Sequence, residues 1–309
     1  MSAAVQQMPS PFSPTSSQIA VAYSVCRSIT RSAAKNFYYA FLVLPTAKRQ
    51  ALCAVYAFMR RCDDISDDGQ FPAYERRQKL EAWLDAFHNA QGGQPTDDPV
   101  LLALTDTQRR FKIPVELLDQ LAYGTGMDIQ EASGADVTLK VLYRTFGDLR
   151  VYCYRVASVV GLVCIHVFGY RDAAAEPLAE NLGLAFQLTN IIRDIKEDAG
   201  MGRIYLPAED LASFKVAAEE FRQDAIPERL RWLLAAEADR AREYYGAARD
   251  LMPLIDEDSR PALWVLVSIY ARLLEKIAER KYDVFNKKIS LTVREKVFIL
   301  GKGLLKRLA

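Results

Sequence analysis

Apolar residues recur every three to four positions along almost the whole chain, and no stretch alternates apolar with polar as a half-buried strand does. This periodicity predicts helices over 17–32, 47–67, 72–89, 99–111, 114–130, 138–168, 174–197, 215–251, 260–286 and 292–307. Pro99 and Pro114 stand where helices begin, because a first turn has no use for the missing amide. Gly92-Gly93, Pro95 and Asp97-Asp98 mark one loop, and Gly200 to Pro207 another. The expected architecture is all-α, a single-domain helical bundle with a central apolar cavity, and bundle interiors are where facing helices build ligand and metal sites. Residues 1–18, with Pro9, Pro11, Pro14 and several serines, read as a disordered tail, which leaves 19–309 for the domain.

Two acidic rows interrupt the pattern. Asp63 and Asp67 are four apart, as are Asn190, Asp194 and Asp198, so each set shares one face of its helix. Both rows follow apolar stretches, where a solvated acidic face is out of place. Carboxylates aimed at an interior repel one another unless a cation joins them. Mg²⁺ is the expected partner: it takes one or two carboxylates, keeps waters and completes its shell with substrate phosphates. Two rows face to face would hold a diphosphate between two or three such ions. In a metal-free protein, removing one carboxylate of a repelling cluster is then expected to raise the melting temperature.

Composition narrows the classes. The chain has 309 residues, half of them hydrophobic, and a net charge of +1, which offers nucleic acid no electrostatic footprint. Cys26, Cys53, Cys62, Cys153 and Cys164 lack metal-ligand spacing and read as reduced packing residues of a cytoplasmic protein. His88 and His166 are too isolated for zinc or a Ser–His pair. The start has no signal-peptide pattern. The best apolar run, 156–168, is too short to span a bilayer and reads as a buried helix.

Five ordered blocks carry a resemblance. They are Ala34-Lys35-Asn36-Phe37-Tyr38, Tyr56 through Arg60 to Asp63, Tyr152 through Ala157 to Gly161, Gln187 to Asp198, and Gly202-Arg203-Ile204-Tyr205-Leu206-Pro207. In this order they resemble the squalene/phytoene synthase family, the head-to-head prenyl transferases. The resemblance implies the isoprenoid-synthase fold, Mg²⁺ dependence and condensation of two identical prenyl diphosphates. It further implies diphosphate contacts at Lys35 and Asn36, although family members often carry hydroxyls around that lysine where this chain has Ala34 and Asn36. Arg60, Arg193 and Arg203 become phosphate candidates, Tyr152 an aid to proton removal at the cyclopropyl centre, and Tyr205 a residue of the flap behind the second row. Gln187 falls in the fourth block, and Phe37, Tyr56, Phe41 and Phe186 are candidate pocket aromatics.

The residues around Tyr152–Asp172 look closest to bacterial presqualene diphosphate and squalene synthases of hopanoid synthesis. The preferred expectation is therefore farnesyl diphosphate as substrate, with NADPH needed only if the reaction continues to squalene. The alternatives are a phytoene synthase joining two geranylgeranyl diphosphates and, more distantly, a non-catalytic helical assembly protein. The basic, amphipathic segment 293–307 gives two readings: peripheral contact with a membrane, or an ordinary helix packed on the bundle. Oligomeric state is not legible in the sequence.

Overall fold

The computed structural model describes residues 14–34, 37–127, 129, 138–286 and 288–308. Helix α1 (Ser16–Ala33) opens at Thr15, whose hydroxyl accepts from the Gln18 amide while the Gln18 side chain accepts from the Thr15 amide. The helix therefore starts inside the segment expected to be tail, because this reciprocal cap fixes its first turn. Then follow α2 (Phe37–Phe41), α3 (Thr46–Ser66), α4 (Ala73–Gln91), α5 (Pro99–Phe111) and α6 (Val115–Gly126). Pro99 occupies the first turn of α5 as expected, behind an Asp98 cap on the Val100 and Leu101 amides.

The long helix expected over 138–168 begins only at Phe146. Thr145 caps it together with Asp148, and the residues before it extend into β1 (Lys140–Val141), paired in parallel with β2 (Arg203–Ile204). From there α7 (Phe146–Cys153), a π-helical turn (Tyr154–Ser158) and α8 (Val159–Phe168) make one continuous rod. By length and composition that rod could cross a membrane, although the apolar run 156–168 is only its second half, and Asp148, Arg150 and Arg155 lie before it. Its position is nonetheless that of a core helix, packed on α3, α6 and α9 (Ala175–Gly200). The chain continues through α10 (Ala208–Ser213), a 3-10 turn (Ala218–Arg222), α11 (Glu228–Tyr245), α12 (Ala247–Leu251), α13 (Arg260–Glu279) and α14 (Val293–Leu308).

Several boundaries moved for local reasons. The helix expected over 215–251 is divided because Pro227 can only begin a helix, and α11 starts directly behind it. Helix α13 stops at Glu279, since Lys281 and Tyr282 take positive φ. Helices α2 and α10 are too short to show a period.

Helix α3 packs on α1 and α5, α9 packs on α11 and the π-turn, and α13 carries α14. The π-turn comes unusually close to α9. A Cβ on Gly183 would lie 2.6 Å from Ser158 Cα, and one on Gly161 2.9 Å from the Ala179 carbonyl oxygen. Glycine at these points lets two backbones touch, and the Ser158 hydroxyl donates across the seam to the Glu180 carbonyl at 2.7 Å. Those contacts fix the direction of packing: α8 runs antiparallel to α9, with Ala157 opposite Gly183 and Gly161 opposite Ala179.

Candidate active site

An apolar cavity of about 170 Å³ lies between α2, α3, α8 with its π-turn, α9 and α13. That is the size of apolar cavities, near ~150 Å³, that stay dry and accept apolar guests. Its wall has a depth order. Leu52, Tyr56 and Met59 of α3 rise toward one end, as do Ala179, Gly183, Phe186, Gln187 and Asn190 of α9. The next turns of those helices carry Asp63 and Asp194, so helical register sets both acidic rows at one mouth. The opposite, deep end is lined by Cys164, Ile165, Phe168, Ala179 and Leu263.

Tyr270 ties the two sides of the mouth together. Its ring stacks on Phe186 at 4.3 Å and tilts against Phe37 at 5.9 Å. Burial pushes its hydroxyl pKa up, opposed by Arg193 and a hydrogen bond from Asn190, and it senses the charges of Asp194 and Tyr56. Tyr56 is raised as well, by burial above all, and it senses Arg60 and Asp63.

Electrostatically the rows differ. Asp63 is half-buried, while Asp67 caps the end of α3 in the open. Arg60 pairs with Asp64 at 2.5 Å. On α9, Asp194 is held by the Arg193 guanidinium, Nε to Oδ1 at 2.7 Å, and by Lys288 at 3.2 Å. Burial lowers the Arg193 pKa, but hydrogen bonding and charge from Asp194 more than offset that and raise it. Lys288 also pairs with Glu197. Asp194 is thus counter-charged rather than part of a repelling cluster, which removes the expectation that its loss stabilises the protein. Helix α9 runs to Gly200, three residues beyond the expected 197, so Asp198 keeps its place on the Asn190–Asp194 face. Among the described residues no three His, Cys, Asp or Glu side chains gather into an ion cage.

Asn190 Oδ1 is buried without a hydrogen-bond partner. An orphaned, hard carbonyl oxygen one helical turn from the Asp194 carboxylate suits a hard cation, and Mg²⁺ needs only one or two protein carboxylates when a diphosphate supplies the rest.

Behind the second row, residues 202–209 are zipped along 140–146. The Lys140 amide donates to Gly202 O at 2.9 Å, Leu142 to Ile204 O at 3.0 Å, Ala208 to Tyr143 O at 3.0 Å, and Phe146 to the Glu209 carboxylate at 2.6 Å. Tyr152 is buried here in a stack, 5.1 Å from Tyr205 and 5.4 Å from Tyr143. This stack stands outside the apolar wall, one turn before the π-turn residues that do line it. Arg203 is half-buried in β2. Lys35 and Asn36 lie outside the described residues. Phe37, Tyr56, Phe41, Phe186, Gln187 and Asn190 all line the cavity. Lys288 and Tyr270 escaped the sequence reading: one stands in a loop, the other in an unbroken apolar period. The histidines are elsewhere, His88 on Asp119 at 2.7 Å and His166 edge-on to Tyr170. All five cysteines are free and buried.

The zipped segment is anchored by a buried ionic cluster. Arg240 bridges Asp210 at 2.9 Å and Glu237 at 2.7 Å, with its guanidinium 4.3 Å from the centre of the Phe146 ring. Burial, reinforced by Asp210, pushes Glu237 up to about 7 against the pull of Arg240. The unfolded chain sheds that proton near pH ~4.3. Between the two values the native state holds a proton the unfolded state lacks, so this group's contribution to stability falls as pH rises from about 4.5 to 7 and then levels off. Thermal melts across that range should show Glu237→Gln losing less of its melting temperature than the parent protein. Parallel curves would remove Glu237 from the pH dependence.

The comparisons with known proteins agree with this geometry. The family model described as squalene/phytoene synthase matches residues 30–295. The 15-cis-phytoene synthase of Synechococcus elongatus is 35% identical over 316 residues, covering 98% of each chain. The phytoene synthase of Mycobacterium tuberculosis is 37% identical over 290 residues, 93% of this chain and 92% of the other. A dehydrosqualene synthase solved in complex with ligand superposes with a TM-score of 0.82 at 32% identity, covering 93% of this chain and 96% of that one. A squalene synthase from Alicyclobacillus acidocaldarius gives 0.76 at 28% identity, covering 87% and 97%.

Proposed function

From the premise that the chain belongs to the squalene/phytoene synthase family, and is therefore a head-to-head prenyl transferase, we propose that it condenses two geranylgeranyl diphosphates to phytoene. The observation that carries this choice is that relatives 34–37% identical over nine-tenths or more of the chain are named phytoene synthases. It reverses the preference drawn from the residues around Tyr152–Asp172, which had put farnesyl diphosphate and presqualene diphosphate first. A C15 reading keeps the support of two superpositions, on a dehydrosqualene synthase and on a squalene synthase.

The residues fit Mg²⁺ through the oxygens of Asp63 and Asp67 on one side and Asn190, Asp194 and Asp198 on the other, with the orphaned Asn190 oxygen as the structural sign. Bound there, the ion supplies Lewis-acid stabilisation of a departing diphosphate. Arg193, Lys288 and Arg60 add positive charge for phosphate oxygens at the same mouth. Below it, Phe37, Tyr56, Phe186 and Tyr270 present aromatic rings to an allylic cation, which their faces attract. The apolar wall excludes the water that would quench that cation. Closing on phytoene ends in proton loss rather than hydride capture, so no NADPH is required.

Tyr152, beside the mouth, is assigned to assist proton removal. Tyr152→Phe keeps the stack and deletes only the hydroxyl, and should slow product formation by ~10²-fold or more without weakening substrate binding. An unchanged rate would leave Tyr152 a packing residue. The product is tested by incubation with Mg²⁺ and either C20 or C15 diphosphate, with and without NADPH, followed by mass analysis. Phytoene from the C20 substrate is expected. Turnover of the C15 substrate alone would give the reaction to the second reading.

A further inference from the structure

Helix α14 turns its apolar side the wrong way for a packed helix. Ile299 and Gly303 face the bundle, Gly303 so closely that an added Cβ would lie 2.4 Å from the Val265 side chain. Val293, Val297, Phe298, Leu304 and Leu305 point outward and are 42–67% exposed. Scattered exposed apolar residues need no explanation, but a contiguous face of five on one helix does.

Charge sorts on the same helix. The sequence of α14 holds five basic residues and one acid, Glu295. That acid is paired with Lys276 at 2.7 Å and Arg272 at 3.5 Å, both on α13. The solvent side is left with Arg294, Lys302 and Lys306, all exposed. The Lys302 ammonium lies 4.4 Å from the centre of the Phe298 ring and that of Lys306 5.2 Å from the Trp264 ring, so both cations sit at the border of apolar surface.

We infer that this outward face of α14 rests on an anionic lipid surface. An apolar strip bordered by lysines and cleared of acids matches acyl chains beneath negative headgroups. A second copy fits badly, since a two-fold contact of the face with itself would set its three cations against three more. Position adds a purpose. Helix α14 also packs on α2, with the Lys296 ammonium 5.7 Å from the Tyr39 ring centre, and α2 carries the cavity residues Phe37 and Phe41. The lipid face therefore lies one thin helix away from a cavity built for water-insoluble chains. The inference rests on α14 and holds for either prenyl length.

The test is sedimentation of the full chain with extruded vesicles, without substrate, so that its outcome is separate from that of the reaction assay. The protein should pellet with phosphatidylcholine vesicles containing phosphatidylglycerol, and be released by salt. Val297→Glu/Phe298→Glu/Leu305→Glu should weaken binding by roughly tenfold or more, and Lys302→Glu/Lys306→Glu should do the same at low salt only. Both variants change solvent-facing positions, and unchanged melting temperatures would certify their folds. Absence of vesicle binding by the parent, or equal binding by the triple variant, would overturn the inference. So would self-association in lipid-free sedimentation velocity that the triple variant abolishes, because the face would then belong to a second copy.

Discussion

Asp63→Ala and Asp194→Ala are both expected to lose turnover by ~10³-fold, and to differ in stability. Ionising an allylic diphosphate places negative charge on the leaving group, and on the proposed reading an ion that these carboxylates would hold would be worth several kcal/mol to that step. Removing a ligand from either row should cost about that much, since one ion row cannot replace the other. Stability separates the two positions. Asp194 neutralises Arg193, which is only 17% exposed, together with Lys288. Truncating it strands a mostly buried guanidinium, so the melting temperature should fall clearly. Asp63 is half-buried at the edge of the mouth, and Asp63→Ala should melt close to the parent. Steady-state kinetics with Mg²⁺ and thermal melts of both variants provide the check. Full activity in either would withdraw that residue from the site.

Filling the deep end of the cavity should reverse substrate preference. Cys164 lies one helical turn beyond Gly161, which sits opposite Ala179, and so it stands far from the acidic mouth. In Cys164→Phe the added ring would fill the deep end of the cavity, where on the proposed C20 reading the last isoprenoid unit would lie. Each buried methylene is worth ~0.8 kcal/mol, so five carbons carry about 4 kcal/mol, or ~10³-fold in discrimination. The variant should lose C20 turnover by up to that factor while C15 turnover survives. Some general destabilisation, about 1–3 kcal/mol for overpacking, should accompany it and affect both substrates alike. Competition between the two diphosphates reads the ratio directly. A C20 rate equal to the parent's would mean that the chain does not reach Cys164.

The acidic rows were legible in the sequence because an α-helix converts spacing into direction. Asn190, Asp194 and Asp198 share a face of α9, and the apolar stretch before them marks that face as inward; Asp63 is likewise half-buried on α3, whereas Asp67 falls just past the end of α3 and is exposed. The ordered blocks around them gave the family and hence the fold. Helix existence was equally local, apart from α2 and α10, which are too short to repeat.

What the sequence could not determine lies between segments. The partners of Asp194 include Lys288, which comes from a loop 94 residues further along the chain. Tyr270 joins the two sides of the mouth from a helix whose own pattern shows only a core. The zipped segment behind Tyr152 depends on β1 and β2, two residues each, whose strand signal is too short to detect. The contact of Gly183 with Ser158, and with it the depth order of the cavity, exists only because two distant backbones pack without side chains between them. Spacing along a helix is fixed by its own hydrogen bonds, so sequence alone determined the rows. Contact between helices is fixed by which surfaces fit, so counter-charges, depth and the outward face of α14 were decided by the tertiary structure.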